Sequence, residues 1–478
     1  MVTTSSPVAG IEPRAFWAHF EAITRIARPS RHEEAMIDHV RAWASERGLE
    51  VKQDGARNLV IPVPATAGRE SAPTVILQGH LDMVCERQPD SPNDPAEGRI
   101  ELMRDGEWLT ANGTTLGADD GVAIAAMMAL VEDASLPHGP LELLMTVAEE
   151  VGLEGANGLD GSMLTGSVLL NLDSEEDGRL TVGCAGSTDT WVRIERPRSA
   201  VDAGDATLSV TVSGGLGGHS GSNIAQGRSN AVKVLGRALR QAQATVPFRL
   251  ASLNGGRSRN AIPRDAAAVV SVPSGQDDAF RRAVAEAATE IRDEFARTDG
   301  GVTITAALLD TVALVPTGPL AMSPDFDGLV ETSTSLSEAI TKGAQLTLHS
   351  LSRSSNDSAL PAVVATLDAA ARLAGGRLDV KHNYAGWRPN LDSPTLATAS
   401  RVFVRELGSE PIVTGVHAGL ESAVVSSKVA NGLDMLSFGP EIQFPHSPDE
   451  RVSIPTVERF WKLLVALVDE LSKPGVAE

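Results

Sequence analysis

The feature that most constrains this chain is a short apolar run that ends in an acidic or histidine cluster, a pairing that recurs along the sequence. Thr74 to Gln78, Leu141 to Val147 and Val168 to Leu172 have the length and near-continuous hydrophobicity of strands in the middle of a buried sheet. With a helix expected from about Gly121 to Asp133, the alternation predicts an α/β core.

Helical spacing of Phe16, Trp17, Phe20 and Ile23, and then of Met36, Ile37, Val40 and Trp43 before Gly48, places two amphipathic helices ahead of that core. From about Ser187 the texture changes to alternating strands such as Leu208 to Val212, with helical segments near Asn230 to Gln243 and Asp278 to Arg297. From about Gly386 sheet-and-helix units return: a helix near Thr395 to Leu407, a strand near Met435 to Phe438, and a closing helix through Phe460, Trp461, Leu464 and Leu471. The expected organisation is an α/β domain with a central mixed sheet over residues 1–186 and 386–478, interrupted by an inserted α+β domain over 187–385. A length of 478 residues, beyond what one core usually spans, agrees with this division.

A formal net charge of -21 with no concentrated basic patch argues against nucleic acid and anionic membrane surfaces as partners. The start of the chain lacks a basic, apolar leader, and the longest apolar run, Val122 to Val131, is too short to cross a bilayer. Two cysteines, Cys85 and Cys184, make no disulfide framework and suit a reducing compartment, so a cytoplasmic location is expected.

Four clusters fall just after predicted strands: Gly79-His80-Leu81-Asp82, Ala148-Glu149-Glu150, Leu172-Asp173-Ser174 and Pro445-His446-Ser447-Pro448-Asp449-Glu450. A fifth, Gly117-Ala118-Asp119-Asp120-Gly121, precedes a helix, and strand ends are where open α/β sheets put their sites. Taken singly, each has an ordinary explanation, such as a cap or a turn. The ordered combination is what points to metal. Imidazole and carboxylate suit zinc, and two neighbouring ions need about three protein ligands each with one carboxylate shared. His80, Asp119 and Asp173 are assigned to one ion and Asp119, Glu150 and His446 to the other, with Asp119 bridging. Asp82, two residues after His80, can accept the other imidazole N–H and orient the ring. Neighbours in an extended segment point apart, so Glu150 can bind metal while Glu149 faces a water shared by the ions and serves as general base.

The motifs GHLDMV, LGADDG, TVAEEVGLEGA, LNLDSEE and HSPDERV, in this order, resemble those of the cytosolic aminoacyl-histidine dipeptidases, zinc peptidases whose relatives include aminoacylases and glutamate carboxypeptidases. The likeness covers nearly the whole chain and extends through GGLGGHSG at Gly214 to Gly221, RNAIPR at Arg259 to Arg264 and GVHAGLE at Gly415 to Glu421. It implies a catalytic α/β domain interrupted by a lid domain, two zinc ions on His80, Asp119, Glu150, Asp173 and His446, Asp82 behind His80, Glu149 as base, and a non-proline cis peptide after Asp119. It further makes His219 the candidate for the tetrahedral oxyanion and Asn260 and Arg353 the candidates for the substrate's C-terminal carboxylate. Glu421 is the candidate contact for the free α-amino group.

The expected activity is hydrolysis of unblocked dipeptides with broad side-chain tolerance, histidine-containing ones such as carnosine included. Manganese or cobalt are substitutes for zinc in a carboxylate-rich site. An N-acyl-amino-acid deacylase using the same site, and a non-catalytic homologue that binds peptides with metal, stand as alternatives. An insertion of about two hundred residues could supply contacts that smaller relatives take from a partner subunit, which leaves monomer and homodimer both open.

Overall fold

Every residue of the strands Val75–His80 and Leu141–Thr146 is buried, as strands covered on both faces must be. The protein, seen here as a computed structural model that describes residues 6–195, 199–304 and 315–473, forms two units. The first comprises Met1–Gly183, Pro389–Thr414 and Leu420–Glu478, and the second Cys184–Arg388 with Gly415–Gly419. The architecture is thus an α/β unit with a mixed sheet, interrupted by an inserted α+β unit.

The sheet of the first unit has eight strands, ordered Lys52–Gln53, Leu59–Val63, Leu141–Thr146, Val75–His80, Val168–Asn171, Asp434–Ser437, Arg179–Cys184 and Ile412–Val416. Its four central strands, Leu141–Thr146 to Asp434–Ser437, run parallel, while Leu59–Val63 and Arg179–Cys184 pair antiparallel beside them. The register sets His80 opposite Thr146, Gln78 opposite Asn171, and Asn171 opposite Ser437. The carboxyl ends of these strands therefore share one rim.

Helix Ala118–Glu132 is buried on every side from Ala118 to Leu130, which accounts for its lack of a polar stripe. Asp119 and Asp120 have non-helical backbone angles, so its regular turns begin at Gly121. The closing helix Ile454–Leu471 buries Val457, Phe460, Leu464, Leu467 and Leu471 at spacings of three and four, each worth roughly 1.5–3 kcal/mol on removal from water. Near the start, helix Arg14–Ile23 buries Phe16, Trp17 and Phe20, with Trp17 edge-on to both phenylalanines.

In the second unit the paired strands are antiparallel and make a nine-stranded sheet. Alternate residues such as Val210, Val212 and Val270 pack against Leu235, Leu239, Phe280 and Ile291 of the helices Ala231–Thr245 and Asp277–Phe295. A separate two-stranded ribbon pairs Gly218–His219 with Ala261–Ile262. Among the described residues no helix is long and apolar enough to cross a membrane, and Cys85 and Cys184 form no disulfide.

Candidate metal centre

His80 is the last residue of its strand and is 1% exposed. Its Nδ1 lies 3.2 Å from the Asp82 carbonyl oxygen and 3.4 Å from Asp82 Oδ1. That leaves Nε2 turned the other way, 2.9 Å from Asp119 Oδ1 and 3.7 Å from Asp173 Oδ1. Asp119 reaches a second imidazole with its other oxygen, as Oδ2 is 3.1 Å from His446 Nε2. His446 Nε2 is in turn 2.9 Å from Glu150 Oε2. Asp119 thus stands between two imidazoles, each with a further carboxylate.

Two groups of donor atoms follow, His80 with Asp119 and Asp173, and Asp119 with Glu150 and His446, each with its atoms within 4.8 Å of one another. A third group joins His80, Glu149 and Glu150. Donors sharing one tetrahedral cation at about 2.1 Å stand about 3.4 Å apart, close to the spacings seen here. Glu150 Oε1 is buried without a hydrogen-bond partner among the described residues, a costly state for a carboxylate unless a cation meets it. The donor set fits metal.

Electrostatics agree. Burial opposes the charge on Asp119, but hydrogen bonds from His446 and His80 overcome it and hold the carboxyl below its usual range. Burial and neighbouring carboxylates push Asp173 up to about 6 and Glu149 well above the carboxylate range. Although burial works against protonation, the surrounding carboxylates carry His446 up to about 11. Negative charge is in excess on this rim, and the ion-pair partners of Asp119, Asp173 and Glu150 among the described residues are the imidazoles themselves.

The glutamate pair departs from the extended geometry expected for it. Ala148 takes a left-handed backbone with φ 51°, and the N–H groups of Gly152 and Leu153 both close onto the Glu149 carbonyl. Glu149 and Glu150 therefore lie on a turn, and their carboxylates converge near His80. Asp82 holds this turn as well as the ring: it accepts the N–H of Glu149 at 3.0 Å and of Glu150 at 3.3 Å, and the Ser30 hydroxyl at 2.7 Å.

Two supporting residues have no role in the sequence reading. Arg28 is 1% exposed and donates to the carbonyl oxygens of Leu81 at 3.1 Å, Asp82 at 2.7 Å and Gly117 at 2.6 Å, tying the His80 loop to the Asp119 loop. Glu450 faces the same loop, accepting the N–H of Leu116 at 2.7 Å, Gly117 at 3.0 Å, Ala118 at 2.8 Å and Asp119 at 3.4 Å. Gly117 has φ 71°, a conformation that favours glycine, and the Asp119–Asp120 peptide bond is cis.

The remaining residues lie elsewhere. His219, Asn260 and Arg353 belong to the second unit, where Arg353 Nη2 is 3.2 Å from His219 Nε2 and the Ser220 N–H donates to the Asn260 carbonyl at 2.7 Å. His417 is in the same unit, its Nε2 2.7 Å from the Ser333 hydroxyl. Glu421, four residues on, is in the first unit and has no exposed surface. Its Oε2 accepts from Gln78 Nε2 at 2.6 Å and from the Thr146 hydroxyl at 2.5 Å, and its Oε1 has no hydrogen-bond partner among the described residues.

A carboxylate and imidazole rim at the strand ends of an interrupted α/β unit defines a metal-binding hydrolase class, and comparison with known proteins narrows it. Residues 76–470 match Peptidase family M20/M25/M40, and the chain belongs to that family. It is 37% identical to the cytosol non-specific dipeptidase of Escherichia coli strain K12, over 98% of this chain and 99% of that protein. The aminoacylhistidine dipeptidase of Vibrio alginolyticus superposes with a TM-score of 0.85 at 36% identity, covering 97% of this chain and 98% of that one. The aminopeptidase PepT of Bacillus cereus shares the fold, with a TM-score of 0.58 at 17% identity over 97% of this chain and 100% of that one.

Proposed function

We propose that this protein is a metal-dependent dipeptidase that hydrolyses the amide bond of unblocked dipeptides with two zinc ions, for which manganese or cobalt can substitute. The observation that carries the reading is Asp119 set between His80 and His446, 2.9 and 3.1 Å from their Nε2 atoms, with Glu149 converging on the same rim. Two relatives matched over 98% and 97% of this chain bear the names of dipeptidases, which supports the substrate class.

His80, Asp119 and Asp173 would hold one ion, and Asp119, Glu150 and His446 the other. Bound there, the pair supplies Lewis acidity toward the scissile carbonyl and lowers the pKa of water. Glu149 takes the proton of the attacking water and returns it to the leaving amine nitrogen as the C–N bond breaks. Burial, with Glu150, raises its carboxyl against the opposing pull of His80, the direction that strengthens a proton acceptor. Asp82 fixes the His80 ring and, through the N–H groups of Glu149 and Glu150, the position of the base. His219 is the candidate for the carbonyl oxygen, and Asn260 and Arg353 are the candidates for the C-terminal carboxylate, for which the planar guanidinium is suited. With only two cysteines and no disulfide between them, we place the activity in a reducing cytoplasm.

The test is hydrolysis of free dipeptides, N-acetylated amino acids and tripeptides by metal-stripped protein, with and without added zinc. Dipeptide cleavage restored by metal is the expected result. Zinc-dependent deacylation without dipeptide cleavage would replace the substrate, and no turnover of any substrate would overturn the enzymatic reading.

A further inference from the structure

Directly behind the ligands, the central sheet carries a row of polar side chains where apolar ones would be cheaper to bury. Thr146, Gln78, Asn171, Ser437 and Glu421 are all 0% exposed. Their hydrogen bonds run one way. Ser437 Oγ donates to Asn171 Oδ1 at 2.5 Å, Asn171 Nδ2 to Gln78 Oε1 at 2.6 Å, and Gln78 Nε2 to Glu421 Oε2 at 2.6 Å. From the other side the Thr146 hydroxyl donates to the same Glu421 oxygen at 2.5 Å. Glu421 is the acceptor on which the chain of donors ends.

The placement of this row on the strands gives it a purpose. Gln78 is two residues before His80, Asn171 two before Asp173, and Thr146 three before Glu149 and four before Glu150. Each strand that delivers a ligand to the rim therefore has one member of the row within a turn of that ligand. Apolar side chains tolerate small slides between parallel strands, whereas a buried hydrogen-bonded row is satisfied in one alignment only. Metal ligands need placement within about 0.5 Å.

We propose that Glu421 is a positioning residue: as terminal acceptor of the Ser437–Asn171–Gln78 row and of Thr146, it locks the ends of three ligand-bearing strands at the spacing that two metal ions require, and it does not contact the substrate. This rests on the reading of the rim as a two-metal site. Helix Glu421–Lys428 begins at this residue, so the lock comes from an element outside the sheet. Burial pushes the Glu421 carboxyl up to about 8, so glutamine reproduces its neutral form and keeps an oxygen for both donors.

The experiment compares wild type, Glu421→Gln, Glu421→Leu and Thr146→Val, each stripped of metal and titrated with cobalt(II) by visible absorption in the absence of substrate. Residues supporting ligands typically affect metal affinity by about 10–100-fold. Glu421→Leu should fall in that range for both ions, Thr146→Val, which keeps its shape and loses one hydrogen bond, should lose about 3–10-fold, and Glu421→Gln should stay near wild type. Circular dichroism separates these losses from unfolding, and if the leucine variant does not fold, the threonine variant carries the test. Wild-type affinity in Glu421→Leu or Thr146→Val would overturn the proposal. So would loss of the preference for free over N-acetylated dipeptides in Glu421→Gln, because that would make Glu421 a substrate contact. Two ions bound without turnover of dipeptides would instead sink the functional reading and leave the positioning role standing.

Discussion

Glu450 offers the sharpest test of how Asp119, the carboxylate proposed to serve both ions, is held. Its Oε2 accepts from Leu116 and Gly117 at 2.7 and 3.0 Å, and its Oε1 from Ala118 at 2.8 Å and, more weakly, Asp119 at 3.4 Å. Glu450→Gln keeps one acceptor oxygen and turns the other into a donor. The retained oxygen should stay on the Leu116 and Gly117 pair, which makes two good bonds, so the Ala118 and Asp119 N–H groups lose their acceptor and face an NH2. A buried donor left without its partner costs about 1–3 kcal/mol. With one strong and one weak bond lost, the variant should be less stable by roughly 2–3 kcal/mol. Glu450→Ala, which removes every acceptor, should cost more. Because burial raises Glu450 to about 7 against the pull of its N–H donors, the comparison belongs at pH 8, where the wild-type group is ionised. Denaturant unfolding of metal-stripped protein reads the stability, and cobalt titration reads the consequence for Asp119 in its proposed role toward both ions. A Glu450→Gln variant within about 0.5 kcal/mol of wild type, with both ions bound at wild-type affinity, would refute the reasoning.

Four further outcomes follow from the same geometry. Glu149→Gln should bind metal and dipeptide yet lose about 10²–10⁴-fold in kcat, and unchanged turnover would remove Glu149 as base. Gly79→Ala places a Cβ 2.5 Å from Ala123 Cβ and from Asp120 Oδ2, and since Asp120 accepts the His80 N–H at 3.1 Å, overpacking of about 1–3 kcal/mol should come with weakened metal binding. His417 is held down at about 3 by burial and by the Arg353 and His219 charges, against an unperturbed 6.5. The unfolded chain therefore binds a proton that the folded one refuses, and stability present above 6.5 is lost as pH falls toward 3, by about 1.4 kcal/mol per unit. Unfolding curves at pH 7, 5.5 and 4 should show a shallower loss in His417→Gln than in wild type, and parallel losses would discount the group. Zinc at about a thousand times its Kd should raise stability by about 4 kcal/mol per ion, readable as a rise in Tm that a chelator reverses.

The reach of the sequence follows from what each residue's role depends on. The candidate ligands His80, Asp173 and Glu150 and the candidate base Glu149 were legible because the proposed chemistry restricts them to histidine and carboxylate, and the sheet puts them just after apolar runs. The helices were legible for a similar reason: Phe16, Phe20 and Ile23, or Phe460, Leu464 and Leu471, repeat at the spacing of a buried face. The turn at Glu149 was not, since it depends on a left-handed Ala148, a residue type that carries no such preference.

Arg28 and Glu450 were hidden for another reason. Their partners are 53 to 89 and 331 to 334 positions away, so their roles exist only once the chain is folded. The row behind the ligands lies between these cases. Gln78, Thr146 and Asn171 are polar residues in largely apolar strands, each shortly before a candidate ligand, and a buried strand tolerates such residues only when each finds a partner. Gln78 and Asn171, opposite one another, and Thr146, level with His80, are therefore a joint signal that the strands are bonded side chain to side chain. Their acceptor, Glu421, carries no such mark: it follows His417 by four residues in one motif, yet the two side chains belong to different units. The sequence offers Glu421 as a candidate contact for the free α-amino group, and its hydrogen bonds from Gln78 and Thr146 show a second role that only the folded chain displays.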